Sequence, residues 1–248
     1  MKIFVDETSK LSGARAAEMA AEEIRKAIAE RGACRLLLST GASQFDVLEH
    51  LVQKDVEWDK VTMFHLDEYV GMPITHIASF RKYLTERFVD KVHPGSYFFV
   101  DGEGDVEKSI AELTAEVRKA PIDVALVGIG ENGHIAFNDP PADFESREAF
   151  FVVNLDERCK KQQMGEGWFA TLDDVPNQAI SMTPYQIASC RVILSIVPGE
   201  RKANAVARTL EAEATTPLVP ATLLREHENW TLFLDKGSAN DVRPELLK

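Results

Sequence analysis

The amino-acid sequence predicts an α/β protein with three layers, in which a mainly parallel sheet carries helices on both faces in a modified Rossmann-like arrangement. Short apolar segments alternate with longer amphipathic segments along the whole chain, which is the pattern of β-α units joined by right-handed crossovers. The segment 122–127 reads Ile-Asp-Val-Ala-Leu-Val, and such a run is typical of a central parallel strand covered on both faces. No linker-like, low-complexity or repeated segment interrupts the sequence, so we expect one domain over residues 1–248.

The individual elements follow from their local patterns. Residues 1–5 form a short apolar segment, which predicts the first strand, and residues 9–30 are rich in alanine with spaced apolar residues among charges, which predicts an amphipathic helix. The same patterns then predict, in chain order, a strand over 35–38, a helix over 43–51, a strand over 61–66, helices over 79–88 and 106–119, strands over 122–127 and 192–197, a helix over 201–210 and a strand over 230–234.

Composition and charge restrict the kinds of molecule that the protein is expected to bind. The formal net charge is −12 and no cluster of lysine or arginine stands out, so binding to nucleic acid is not expected. One small phosphorylated molecule could still be held by backbone N–H groups and a few local cations.

The segment 1–7 turns acidic early and no apolar run reaches membrane-spanning length, which predicts a cytoplasmic protein without a membrane partner. Cys34, Cys159 and Cys190 are not spaced like a disulfide framework or a zinc knuckle. A homo-oligomer is compatible with these features.

The most informative segment is a glycine-rich turn directly after the apolar segment 122–127. It reads Gly-Ile-Gly-Glu-Asn-Gly and is followed by His134 and, five residues later, by Asp139. Open α/β sheets bind ligands at the carboxyl ends of their strands, so this turn is a candidate active site. Its spacing also fits a dinucleotide-binding glycine motif, but Pro140 and Pro141 leave little room for the helix that would hold a pyrophosphate. We therefore expect no nicotinamide or flavin cofactor.

Three other predicted strand ends carry polar residues. Residues 39–43 read Ser-Thr-Gly-Ala-Ser and lead into a helix, which indicates either an anion-binding turn or an ordinary helix cap by one of the hydroxyls. Asp67 follows the third strand and is a candidate general base; the alternative is that Asp67 or Glu68 caps the next element or faces water. Lys202 lies in the first turn of a helix, where the helix dipole disfavours a cation unless an anion binds there. A solvated surface lysine is the alternative.

Four segments together resemble the glucosamine-6-phosphate deaminase family. They are Leu-Asp-Glu-Tyr-Val-Gly at 66–71, the turn and its continuation at 128–139, Ser-Thr-Gly at 39–41 and Arg-Lys-Ala at 201–203, and their order and spacing match along nearly the whole chain. The family shares its fold with 6-phosphogluconolactonases, but Tyr69 and Ile-Ala-Phe-Asn at 135–138 resemble the deaminase branch.

The resemblance implies an enzyme without cofactor or metal that converts glucosamine 6-phosphate, or a close epimer, into a ketose 6-phosphate and ammonia. Ring opening would use His134, assisted by Asn132 and Asp139, because an imidazole with a pKa near neutrality can accept and give a proton. Asp67 would be the base that moves a proton between carbons 2 and 1 of the opened sugar. The positions that would bind the phosphate are Thr40, Gly41, Ala42, Ser43 and Lys202.

The chain also departs from the family pattern. Many members have aspartate in place of Asn132 and glutamate in place of Asp139. The arginine that members place after the glycine turn to hold the phosphate matches Gln163 or Met164 here. A changed substrate, such as the galactosamine epimer, is one explanation; the other is a substitute cation from the same segment, for which the candidates are Arg158, Lys160 and Lys161.

The sequence also gives an expectation about regulation and leaves three alternative functions open. The segment 146–151 lacks most of the cations through which regulated members bind an acetylated sugar phosphate, so we expect no activation of that kind. The first alternative is a 6-phosphogluconolactonase or sugar-phosphate isomerase that uses His134, and the second is a non-catalytic sugar-phosphate sensor. The third is a metal-dependent hydrolase, although the spacing of its candidate ligands His65, Asp67, Glu68 and His134 matches no standard metal motif.

Overall fold

The computed structural model describes residues 1–165 and 167–247. Its strands are β1 (Lys2–Asp6), β2 (Cys34–Leu38), β3 (Val61–His65), β4 (Asp67–Tyr69), β5 (Ser96–Phe98), β6 (Val124–Leu126), β7 (Phe150–Asn154), β8 (Gln178–Met182), β9 (Val192–Val197) and β10 (Trp230–Asp235). Its helices are α1 (Ser9–Arg31), α2 (Phe45–Leu51), α3 (Phe80–Leu84), α4 (Asp90–Val92), α5 (Val106–Val117), α6 (Glu157–Gly165), α7 (Pro184–Ala188), α8 (Ala203–Glu211) and α9 (Lys236–Ala239). Shorter turns of 3-10 helix lie at Ala42–Gln44, Trp58–Lys60, Glu200–Lys202, Pro220–Glu226 and Pro244–Leu247.

A seven-stranded parallel sheet forms the centre of the protein, with the strand order β1-β10-β9-β6-β2-β3-β5. The apolar strand β6 lies in the middle, where Val124 pairs with Leu36 of β2 and Leu126 pairs with Leu194 of β9. Both neighbours and both faces of β6 are therefore covered, which explains why its sequence does not alternate between apolar and polar residues. The predicted parallel sheet is confirmed.

Helices cover both faces of this sheet. Leu36 and Leu38 of β2 pack in one core cluster with Ile24 of α1, whereas Leu37 packs in another cluster with Leu113 of α5. This division follows from the two-residue period of a strand, which sends neighbouring side chains to opposite faces. The predicted three-layer architecture is confirmed.

A second sheet was not predicted. Its three strands pair in the antiparallel order β4-β8-β7. The third predicted strand, 61–66, in fact ends at His65, and the chain continues into β4 at Asp67. A strand of three residues is too short to show a period, and its partner Ser181 is distant in the sequence. This small sheet places Asp67 beside the carboxyl edge of the main sheet.

Several helix boundaries also differ from expectation. The predicted helix 79–88 is the short helix α3 followed by a π-helical turn at Thr85–Val89. The predicted helices 43–51 and 201–210 begin as 3-10 turns and become α-helical only at Phe45 and Ala203. Strand β5 and helices α4, α6, α7 and α9 were not predicted. Among the described residues, no helix combines the length and the apolar character needed to span a membrane.

Candidate active site

The polar strand ends meet in one cavity at the carboxyl edge of the main sheet. The cavity has a volume of about 350 Å³, which is a suitable size for a small metabolite. It is lined by 39–43 after β2, Leu66 and Asp67 around the start of β4, Phe80 of α3, 128–131 with His134, Ala136 and Phe137 after β6, Gln162 and Gln163 of α6, and Pro198, Arg201 and Lys202 after β9.

The turn after β2 lines this cavity with residues 39–43. Gly41 has a φ of +94°, a conformation that glycine adopts without strain. Its carbonyl oxygen accepts a hydrogen bond from the Tyr83 hydroxyl at 3.0 Å. No described side chain caps the 3-10 turn at Ala42–Gln44 or α2, so the alternative that Thr40 or Ser43 is a helix cap is wrong. The uncapped N–H groups at this helix start are suited to an anion.

The glycine turn after β6 fixes the His134 ring. Gly130 N–H donates to the His134 carbonyl oxygen at 2.9 Å, and Gly133 N–H donates to the Gly130 carbonyl oxygen at 3.0 Å. A Cβ atom built on Gly130 would overlap the His134 imidazole. The ring therefore lies directly on the Gly130 backbone, and this close approach requires glycine.

Asn132 and Asp139 lie behind His134, outside the cavity lining. Asn132 Oδ1 accepts from the His134 backbone N–H at 2.9 Å and lies 2.7 Å from its Nδ1, so that Nδ1 carries a proton and Nε2 is the basic nitrogen of the neutral ring. Asn132 Nδ2 donates to Asp139 Oδ1 at 2.7 Å, and the same oxygen is 3.2 Å from His134 Nδ1. The two residues thus set the tautomer and orientation of the ring.

Asp139 is held as an anion. Burial alone would raise the pKa of Asp139, but its interactions with His134, Asn132 and Cys159 outweigh this effect and lower that pKa to about 2. The ionised Asp139 carboxylate, 3.2 Å from Nδ1, is therefore the charged group that lies beside the His134 imidazole.

The adjacent carboxylates Asp67 and Glu68 have different environments. Glu68 is fully buried and accepts hydrogen bonds from the Ser79 hydroxyl at 2.8 Å and from the backbone N–H groups of Arg81 and Tyr69 at 3.0 Å each. Asp67 lines the cavity, and no hydrogen bond to its carboxylate is found among the described residues. Burial, together with the neighbouring Glu68 carboxylate, raises the pKa of Asp67 to about 8. Glu68 is a structural group, whereas Asp67 is available as a base for a ligand.

The family model for glucosamine-6-phosphate isomerases and 6-phosphogluconolactonases matches residues 7–233. The chain belongs to this family. A glucosamine-6-phosphate deaminase of Exiguobacterium sibiricum is 36% identical over 209 residues, covering 84% of this chain and 81% of the relative. One of Lactobacillus helveticus is 32% identical over 245 residues and covers 98% of each chain.

Solved structures place the fold in the same family. A monomeric glucosamine-6-phosphate deaminase superimposes with a TM-score of 0.88 at 29% identity, covering 97% of this chain and 100% of that one. The 6-phosphogluconolactonase of Thermotoga maritima superimposes with a TM-score of 0.79 at 19% identity, covering 95% and 99%. The family fold is thus common to both activities, and only the residues of the cavity can distinguish them.

Two positions are predicted to match the phosphate-binding arginine of the family, Gln163 and Met164, and both are neutral. Gln163 lines the cavity, and its Oε1 accepts a hydrogen bond from the Tyr69 hydroxyl at 2.7 Å, whereas Met164 is not part of the lining. The candidate substitutes lie elsewhere, since Lys160 donates to Asn177, Lys161 pairs with Glu157 and Arg158 is exposed outside the lining.

Sequence reasoning did not single out several residues that line the cavity, notably Ser39, Gln162 and Arg201. Arg201 is next to Lys202 and Ser39 is next to Thr40 in the sequence, and this adjacency to predicted phosphate-binding residues could have identified them. By contrast, the four candidate ligands of a metal-dependent hydrolase do not converge. His65 Nε2 accepts from Val100 N–H at 2.7 Å inside the core, and Glu68 is bound to Arg81. No group of three or more metal-ligating side chains was found within the described residues.

Proposed function

We propose that the protein is an aminosugar-phosphate deaminase that converts glucosamine 6-phosphate, or a close epimer, and water into a ketose 6-phosphate and ammonia. The observation that carries this proposal is the presence of two different proton-transfer groups in one cavity. Asp67 offers a carboxylate that accepts no hydrogen bond from the described residues, and His134 is supported by Asn132 and Asp139. The names of the relatives in two bacteria support the same reaction.

Ring opening is the first step. His134 takes the proton of the anomeric hydroxyl and returns a proton to the ring oxygen as the bond between carbon 1 and that oxygen breaks. The Asp139 carboxylate, 3.2 Å from Nδ1, stabilises the imidazolium between the two transfers. A neutral imidazole with a free Nε2 is the form that can begin this step.

Asp67 carries the second step. In its ionised form, it removes the proton from carbon 2 of the open-chain aldehyde and delivers a proton to carbon 1, which leaves an imine at carbon 2. Because burial and Glu68 raise the pKa of Asp67 to about 8, the ionised carboxylate is a stronger base than an ordinary aspartate. Water then adds to the imine and ammonia leaves, so one water is consumed for each ammonia formed.

The turns after β2 and β9 would bind the phosphate and so anchor the substrate in the cavity. Thr40, Gly41, Ala42 and Ser43 offer hydroxyl and backbone donors there, and Lys202 adds a positive charge. The acidic Asp67 lies at the start of β4, so the phosphate and the reacting carbons would have separate binding regions.

The test measures ammonia release from glucosamine 6-phosphate and galactosamine 6-phosphate by the purified protein in the presence of a chelator. We expect release from at least one of the two sugars, and a loss of about 10²- to 10⁴-fold in kcat for Asp67→Asn, because a general base typically contributes that much. Asp55→Asn is the matched control, since Asp55 is exposed and outside the cavity lining. Hydrolysis of 6-phosphogluconolactone without ammonia from either aminosugar would instead establish a lactonase, and binding without turnover would establish a sensor.

A further inference from the structure

The walls of the cavity differ in charge. Among the described residues that line it, the cations are Arg201 and Lys202, which both lie on the turn after β9. The wall formed by α6 contributes the neutral side chains Gln162 and Gln163. An anionic ligand group therefore finds positive charge on the β9 side of the cavity.

Arg201 makes no side-chain interaction with the described residues that would explain its position. Its side chain makes no hydrogen bond, ion pair or ring contact with residues 1–165 or 167–247, and it is exposed at the cavity mouth. Several other arginines of this acidic protein are paired, for example Arg15 with Asp6 at 2.9 Å and Arg81 with Asp101 at 2.6 Å. The guanidinium of Arg201 thus remains available to a ligand.

The local backbone makes an unneutralised cation unfavourable at this place. Gly199, with a φ of +96°, starts the 3-10 turn Glu200–Lys202, which leads directly into the nine-residue helix α8. The positive end of the helix dipole disfavours cations in this first turn. The position of Arg201 in this turn is explained if an anion binds beside its guanidinium.

The turn after β2 lies against the same place and carries an unsatisfied donor. Gln44 Nε2 donates to the Ile196 carbonyl oxygen of β9 at 3.1 Å and to Ser43 Oγ at 3.0 Å, which joins the two strand ends. Ser39 lines the cavity with only 6% of its surface exposed, and its Oγ has no hydrogen-bond partner among the described atoms. A buried hydroxyl without a partner is costly, which indicates that a ligand oxygen normally approaches this end of the cavity.

We propose that Arg201 is a second cationic ligand of the substrate phosphate and acts together with Lys202 on the β9 side of the cavity. The planar guanidinium can donate two parallel hydrogen bonds to one phosphate group. This inference rests on the proposed function only in assuming a phosphorylated substrate. It explains how the phosphate is neutralised although Gln163 stands where a cation was expected.

The test compares the binding of inorganic phosphate to the wild-type protein, Arg201→Gln and Arg201→Lys by isothermal titration calorimetry in a buffer without phosphate. We expect Arg201→Gln to weaken phosphate binding by roughly tenfold or more, and Arg201→Lys to weaken it less, because lysine keeps the charge but loses the paired geometry. Arg158→Gln is the control, since Arg158 is exposed on α6 outside the cavity lining, and it should leave the affinity unchanged within about twofold.

Steady-state kinetics with the aminosugar phosphate supply a second readout. Arg201→Gln should raise KM by roughly tenfold while kcat changes by less than about threefold, because phosphate contacts are made equally in the ground state and the transition state. Wild-type phosphate affinity in Arg201→Gln would overturn the proposal, as would a loss caused by Arg158→Gln instead. The phosphate measurement needs no turnover, so an Arg201-dependent phosphate affinity without ammonia release would refute the deaminase proposal and leave this one standing.

Discussion

At the scale of single residues, neighbouring side chains of the same chemistry acquire different roles from their surroundings. The sequence shows two carboxylates, Asp67 and Glu68, and cannot tell which one is available for catalysis. The structure surrounds Glu68 with the Ser79 hydroxyl and two backbone N–H groups, which oppose the rise in its pKa that burial causes. Asp67 lacks such donors and faces the cavity. Its basicity therefore originates from burial beside a second carboxylate.

The raised pKa of Asp67 predicts the pH dependence of catalysis. An Asp67 carboxyl with a pKa of about 8 is mostly protonated at neutral pH in the empty protein, and only the ionised form can remove a proton from carbon 2. We expect kcat/KM to rise as pH increases, to reach half of its maximum near pH 8 and to level off above it, because this ratio reports the ionisation of the free enzyme. A pH profile of kcat/KM for ammonia release checks this. A flat profile between pH 6 and 8 would contradict the assignment of Asp67 as the base.

The same shift predicts a cost to stability. The pKa of Asp67 is raised from an ordinary value of 3.8 to about 8 in the folded protein, so the folded state binds this proton more tightly than the unfolded state. Stability from this group is present at low pH and is lost as pH rises between about 4 and 8. Asp67→Asn should remove this loss and raise Tm at pH 8 by about a few degrees. Thermal unfolding across this pH range provides the measurement, with Asp55→Asn as control; parallel Tm curves for Asp67→Asn and wild type would contradict the prediction.

At the scale of helices and strands, local pattern and long-range pairing differ in how well the sequence reveals them. The parallel strands and the long helix α1 were predictable because each buries a periodic or continuous apolar surface. Strand β4 was not, since its three residues show no period and it is defined by pairing with β8. The residues of the candidate site also differ in whether local sequence pattern reveals them. His134 and Asp67 could be found from their strand ends, but the contact between Gln163 and Tyr69 depends on the packing of α6.

The glycine turn after β6 gives a prediction for a whole element rather than a reacting group. Because a Cβ on Gly130 would overlap the His134 ring, Gly130→Ala should displace the imidazole without changing any titratable residue. We expect a fall in kcat of about 10²-fold, since a displacement of about 1 Å can cost that much. Gly165→Ala, where no described atom lies within 4 Å of the new Cβ, is the control. Circular dichroism and Tm should show both variants folded, and full activity of Gly130→Ala would refute the proposed ring position.

At the scale of the whole molecule, a strongly acidic protein is proposed to bind an anion. The net charge of −12 creates a repulsive overall field for a phosphorylated sugar. The arrangement of charge offsets this locally, since Arg201 and Lys202 lie together beside the uncapped start of α2. Asp67 lines the same cavity from the start of β4, and Asp139 lies behind His134, outside the lining. Under the proposed function, the phosphate would bind at Arg201 and Lys202, and the reacting carbons would lie near Asp67 and His134.

Regulation is also a property of the whole molecule. We expect that an N-acetylated sugar phosphate does not activate the protein. In the segment 146–151, which leads into β7, the only cation is Arg147. Its guanidinium lies 4.9 Å from the ring centre of Tyr185 and donates to the Phe144 carbonyl oxygen at 3.1 Å, so this charge is already engaged within the chain. Initial rates measured against aminosugar phosphate concentration should follow a hyperbola, with or without N-acetylglucosamine 6-phosphate. The curves should be the same at two protein concentrations, which controls for self-association. A sigmoidal curve that becomes hyperbolic on adding the acetylated sugar would show that cations outside this segment form a regulatory site.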